Sequence, residues 1–217
     1  MRALALATAV ALVLGLVVLV RGEGMPWSPR CELAGPAGEA VLSGPPAEMA
    51  ALVTRALAGQ DGDAAVADAL GSGPALSCRI APIAATSVAK EDPLGLTPRA
   101  QAVRSEVREL FGDVPDGGFG PQEVLPGRRP GGEHSLGRAM DFFFRPTDDP
   151  AQAVAGWQLA NWAVANAERL GIRTVIYRDR IWTARRSLQG WRDYRFAGAD
   201  PDNPVNRHLD HVHIDVA

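Results

Sequence analysis

His208-Leu209-Asp210-His211-Val212-His213-Ile214-Asp215-Val216 stands almost at the end of the chain, and its alternation decides the fold around it. On a β-strand, successive side chains point to opposite faces. His211, His213 and Asp215 therefore share one face, and Val212, Ile214 and Val216 share the other. The apolar face is expected to pack on a core, which leaves two imidazoles side by side at the edge of a cleft.

The sequence contains four histidines, and three of them lie in this stretch. The fourth opens His134-Ser135-Leu136-Gly137-Arg138-Ala139-Met140-Asp141. On one straight strand His134 and Asp141 would face opposite sides. A turn at Gly137 followed by a strand over 138–144 lets both reach one point and sets Met140, Phe142 and Phe144 against the core. Neutral imidazole is the commonest protein ligand of zinc, and aspartate adds an anionic oxygen. A catalytic zinc site commonly takes three protein ligands and keeps a fourth position for water. His134, Asp141 and His213 are the expected three. His208, Asp210 and His211 then lie near the metal without being required by it. One could take a proton from the attacking water, and a cationic imidazole could steady a tetrahedral oxyanion. Either block alone is weak evidence for a metal; the link is that no histidine lies elsewhere.

Outward from these blocks the chain reads as helices and short strands. Asp149 and Pro150 have the form of a capped helix start, with the helix running to about Leu170 and stopped at Gly171. Trp157, Ala160, Val164 and Ala167 give it an apolar stripe. Thr97 and Pro98 begin another helix, with Val103, Val107, Leu110 and Phe111 on one face. Residues 173–177 and 180–183 read as strands joined by a turn at Arg178-Asp179, and 191–196 as a further strand. The Gly/Pro-rich stretch 112–133 leads into His134 and is expected to form the rim of the site. The expected fold is α+β: a small antiparallel sheet with helices packed on one side and a zinc cleft.

Residues 3–20 carry no charge. As a helix they would span roughly 27 Å, close to the hydrocarbon thickness. Arg2 and the amino terminus favour the cytoplasmic side, so the remainder is expected outside, on an uncleaved anchor in preference to a cleaved signal peptide. Cys31 and Cys78, the only cysteines, then read as a disulfide. In the chain-entropy model that closure stabilises the fold by about 4 kcal/mol. Helices over 47–57 and 64–70, broken by Gly71-Ser72-Gly73-Pro74, suggest a small disulfide-tied helical module. The expected organisation is an anchor over 1–24, that module and a linker over 25–93, and a zinc domain over 94–217. The net charge is −3, with no clustered basic surface, so no nucleic-acid partner is expected. Arg178-Asp179-Arg180 with Arg185-Arg186 is interrupted and reads as a solvated rim.

Glu133 to Asp141 resembles the S-x-H-x-x-G-x-A-x-D signature of the LAS zinc peptidases, which include lysostaphin-type enzymes, D-alanyl-D-alanine metallopeptidases and hedgehog domains. His208-x-x-His211-x-His213 is similar to the second motif of penicillin-insensitive murein endopeptidases. Both blocks also resemble C-terminal domains of exported actinobacterial proteins, and the resemblance covers roughly residues 94–217. It implies zinc on His134, Asp141 and His213, a catalytic role for His211, and a further active-site histidine at His208. Asp210 stands where the carboxypeptidase branch has a glutamate, as base or as orienting group for His211. The arginine that often follows a Gly-aromatic turn is missing from Gly117-Gly118-Phe119-Gly120, with Arg128, Arg129 and Arg138 as substitutes. The implied function is zinc-dependent hydrolysis of peptide bonds in peptidoglycan stems or cross-links at the cell surface. The alternative is a catalytically weak or inactive zinc-binding module that binds cell wall or a partner protein. A metal-dependent phosphoesterase would need more carboxylates near the metal.

Overall fold

A computed structural model describes residues 28–35, 38–59, 63–86, 93–119, 132–198 and 200–217. The chain begins with strands β1 (Arg30–Ala34) and β2 (Ala40–Gly44), helices α1 (Pro46–Leu57) and α2 (Ala64–Gly71), and strand β3 (Leu76–Arg79). Helix α3 (Pro98–Phe111) leads to β4 (Asp116–Gly117) and β5 (Ala139–Phe143). Helices α4 (Pro150–Ala165) and α5 (Ala167–Leu170) precede β6 (Ile172–Tyr177) and β7 (Arg180–Thr183). A 3-10 turn over Ala184–Gln189, β8 (Arg192–Asp193) and β9 (His211–Val216) complete it. The fold is α+β with two antiparallel sheets, ordered β2-β1-β3 and β4-β5-β9-β6-β7-β8.

The terminal alternation places β9 at the centre of the larger sheet, between β5 and β6. Val212, Ile214 and Val216 are fully buried, opposite Phe142 and Met140 of β5 and Val175 of β6. Burying each such side chain contributes roughly 1.5–3 kcal/mol. Helices α3 and α4 both touch β9. The capped starts are real: Thr97 Oγ1 accepts from Ala100 N and Asp149 Oδ1 from Ala151 N. The long helix is not continuous to Leu170, however. It breaks at Asn166, whose side-chain amide donates to the Trp162 carbonyl, and resumes as α5. Nor is its buried surface a stripe. Gly156, Trp157 and every residue over 159–165 are buried, because α4 contacts β6 and β9 on one side and α1, α2 and β3 on the other. A helix covered all round is apolar all round.

The segment expected as a helical module departs most from expectation. It contains α1 and α2, but also the sheet β2-β1-β3. Cys31 and Cys78 are opposite one another on β1 and β3 and form the disulfide. Cys31 and Leu33 point inward from one strand and Leu76 and Cys78 from the other. These runs are too short to announce a period of two. The free edge of β3 is closed by side chains instead of a further strand. Asn161 Oδ1 accepts from Leu76 N, Trp191 Nε1 donates to Leu76 O, and Trp182 Nε1 donates to Cys78 O. Just beyond the strand, Ser187 Oγ bonds both backbone groups of Ile80. Edge groups satisfied in this way do not invite pairing with another chain. The strand expected over 191–196 shrinks to Arg192–Asp193. No helix of the described residues is long and apolar enough to cross a membrane; the expected anchor lies outside them.

Candidate metal centre

Strand register carries the two distant blocks together. Asp141 of β5 lies directly opposite His213 of β9, so their side chains leave the same face of the sheet. Phe143 and His211 are the next such pair on that face. His134 arrives from the turn before β5. Gly137, with φ +68°, shapes that turn, and a Cβ there would collide with the Gly95 carbonyl. Its own carbonyl accepts from Thr97 N, which ties the turn to the start of α3. Only glycine meets both demands without strain.

Three donor atoms converge. His213 Nδ1 is 2.9 Å from Asp141 Oδ1 and 3.1 Å from His134 Nε2. His134 Nε2 is 3.5 Å from Asp141 Oδ1. A tetrahedral zinc ion with N and O ligands at about 2.0–2.2 Å separates its donors by roughly 3.3–3.5 Å. One edge matches that value and the other two are a few tenths of an ångström shorter, so a small outward shift of the donors would seat an ion; among the described residues this is the group that could hold a metal. Gly118, with φ +78°, lies against the cluster, and a Cβ there would come within 2.5 Å of Asp141 Oδ2 and 2.9 Å of His134 Cε1.

The remaining histidines surround this triad. His211 Nε2 is 3.7 Å from Asp141 Oδ1, and its Nδ1 bonds Asp210 Oδ1 at 2.7 Å. Asp210 gives its other oxygen to Arg145, whose Nε and Nη2 donate at 2.9 and 2.5 Å. The Arg145 guanidinium also lies over the Phe143 ring, 4.4 Å from its centre. Asp210 is therefore engaged by His211 and Arg145, and of the two roles left open for it the contacts match the orienting one. His208, with φ +53°, bonds the Asn206 carbonyl through Nδ1. A carbonyl only accepts, so Nδ1 carries the proton. The His208 ring lies 4.7 Å from that of His211 and 5.6 Å from that of His213.

Burial penalises every charge here, and partners decide which survive. Asp141 is deeply buried, yet its bond to His213 and the charges of His213, His134 and His211 hold it well below the usual carboxylate range. His213 is buried too, but Asp215 and Asp141 push its pKa up to about 10. For His208 the charge of Asp141 and the Asn206 carbonyl favour the cation but are outweighed. Burial, then the charges of His213 and His211, lower it to about 3. It is neutral at neutral pH, and a bound cation would depress it further, so the expected cationic imidazole is not supplied by His208. Asp210 is lowered against its burial by His211 and Arg145.

Sequence reasoning missed two partners. Asp215 Oδ1 lies 2.8 Å from His213 Nε2, on the side away from the triad. A carboxylate behind a ligating imidazole fixes its tautomer and raises its basicity. The alternation that pairs His211 with His213 includes Asp215, so that signal was present. Arg145 carried none, since it meets Asp210 across 65 positions of sequence. Of the arginines considered as substitutes, Arg138 bonds Glu133 at 2.7 Å, and Arg128 and Arg129 lie outside the described residues.

A family model for the VldE C-terminal domain matches residues 92–205. His134 and Asp141 fall inside that span, and His208, His211 and His213 follow it. No curated protein and no solved structure matches the chain. The matched span exceeds half of the 217 residues, and the chain belongs to the VldE C-terminal domain family.

Proposed function

We propose that this chain is a zinc-dependent peptidase of LAS type that cleaves peptide bonds in peptidoglycan stems or cross-links at the cell surface. The convergence of His134 Nε2, Asp141 Oδ1 and His213 Nδ1 at zinc-like spacings carries the reading. The uncharged segment 3–20 and the Cys31–Cys78 disulfide agree with an exported, membrane-anchored protein.

Zinc held by this triad would supply Lewis acidity and a more acidic water. The chain's own residues do the rest. His213 would offer Nδ1 to the metal, and its Nε2–H donates to Asp215. His211 is the general base. Asp210 holds its Nδ1, so Nε2 is the nitrogen left to take a proton beside Asp141, as in other carboxylate–histidine pairs. Arg145 positions Asp210 and keeps it ionised. His208, neutral and protonated on Nδ1, leaves Nε2 as an acceptor toward substrate.

Metal analysis of purified protein should give one zinc per chain. Sacculi incubated with wild type should release peptides, and His211→Ala should lose release while keeping zinc. Zinc-free wild type, or release unchanged in His213→Ala, would sink the reading. Asp210 at the position of a glutamate base, and the missing arginine after Gly117-Gly118-Phe119-Gly120, favour the second reading, a zinc module that binds wall or a partner without cleaving it. Wall binding without released peptide, equal in wild type and His211→Ala, would establish that one.

A further inference from the structure

A second cleft lies on the same face of the larger sheet as the triad. Opposite partners on neighbouring strands share a face. His213 pairs with Ile176, Ile176 with Ile181, and Ile181 with Arg192; Asp215 pairs with Thr174, and Thr174 with Thr183. The floor of this cleft thus continues the floor of the metal centre across β6, β7 and β8. It encloses about 560 Å³, and Arg173, Thr174, Thr183, Arg185, Arg186 and Arg192 line it.

The charges in this cleft are unbalanced. Arg173 pairs with Glu133 at 3.3 Å. Among the described residues, no ion pair is found for Arg185, Arg186 or Arg192. Arg192 Nη2 donates to Thr183 Oγ1 at 3.1 Å, while its buried Nε has no hydrogen-bond partner among the described residues. Burial and the neighbouring charge of Arg186 both lower its pKa, and among the described residues the guanidinium has no counter-charge. The nearby carboxylate of Asp215 is already held by His213 and Thr174. Guanidinium groups in a cleft with no counter-charge among the described residues match a planar carboxylate.

We propose that this cleft is a subsite for a carboxylate of the peptide substrate, bound by Arg192 and Arg186 and lying about three residues from the bond that reacts. The distance follows from the sheet. Arg192 reaches Thr183 on β7, two strand spacings or roughly 10 Å from β9, and an extended peptide covers about 3.3 Å per residue. The substrate class is then an acidic peptide with its charge set apart from the scissile bond. This rests on the peptidase reading above, and binding separates the two.

The full chain in detergent, zinc-loaded and chelated, is titrated calorimetrically with two blocked pentapeptides that differ only as Glu or Gln at one position, scanned along the peptide. At one position the Glu peptide should bind roughly tenfold tighter or more, the range of a charge-assisted contact. That advantage should vanish in Arg186→Gln, an exposed residue whose loss leaves the core intact, and in Arg192→Gln, with zinc content unchanged. Equal binding of Glu and Gln peptides at every position by wild type overturns the proposal, as does an advantage that survives both substitutions. Inorganic phosphate that excludes the Glu peptide at equal concentration overturns the carboxylate assignment. An intact advantage without cleavage keeps the subsite and overturns only the peptidase reading.

Discussion

At the scale of single residues, the centre works through which nitrogen of each imidazole faces what. His213 presents Nδ1 to Asp141 and His134 and gives Nε2 to Asp215. Asp215→Asn keeps the size and removes the charge behind the ligand. Zinc affinity should fall roughly 10- to 100-fold, measured by competition with a chelator; unchanged affinity would reduce Asp215 to a bystander. Proton bookkeeping gives a second prediction. In the metal-free protein the pKa of His213 is raised to about 10 from 6.5. Its contribution to stability is then fully present below pH 6.5 and lost as pH rises through 10. Zinc must displace that proton, so apparent affinity should climb about tenfold per pH unit as pH rises toward 10. Calorimetry at pH 7 in two buffers of different ionisation heat should show at least one proton released per zinc; none released would contradict the assignment. The candidate triad was legible in the sequence, because the only histidines lie in two blocks and strand alternation pairs His211 with His213. Arg145 was not, since nothing local ties it to Asp210.

At the scale of elements, α4 shows what pattern reading loses. Its caps were legible because they are local: an acceptor side chain one step before a proline. Its environment was not, because it is covered on two sides by segments far away in sequence. Asn161 marks the consequence. This fully buried amide accepts from Leu76 N and donates to Leu70 O at 2.7 Å and Gly73 O at 2.8 Å, and so fastens the turn before β3 to α4. Asn161→Leu leaves three backbone groups without their partner. The cost should be about 2–4 kcal/mol, seen as a lower urea midpoint at unchanged slope. A midpoint within error of wild type would show that this turn is held by other contacts.

At the scale of the whole molecule, the smaller sheet and the larger one share a core. Cys31, Leu33, Leu76 and Cys78 belong to the same buried cluster as Trp162, Trp182 and Ile214. Cys31→Ala/Cys78→Ala should lower stability by about 2–4 kcal/mol while zinc affinity stays near wild type, because the triad stands on β5, β9 and the turn before β5. Calorimetric unfolding should remain one transition; two separate transitions would mean that the sheets are independent. By itself, the sequence determined the short-range facts: the two faces of the terminal strand, the helix starts, a turn at Gly137 after His134, and the imidazole and carboxylate types that could hold a metal. These depend on the period of a strand or on one cap, and a few neighbouring residues suffice. Only the tertiary structure decided which residues meet across the chain. It set Asp141 opposite His213, placed Asp215 behind His213 and Arg145 behind Asp210 and His211, and added a sheet to the two helices of the segment expected as a helical module. Such pairings are settled by strand register and by the filling of a common core, and neither is written in any single stretch of residues.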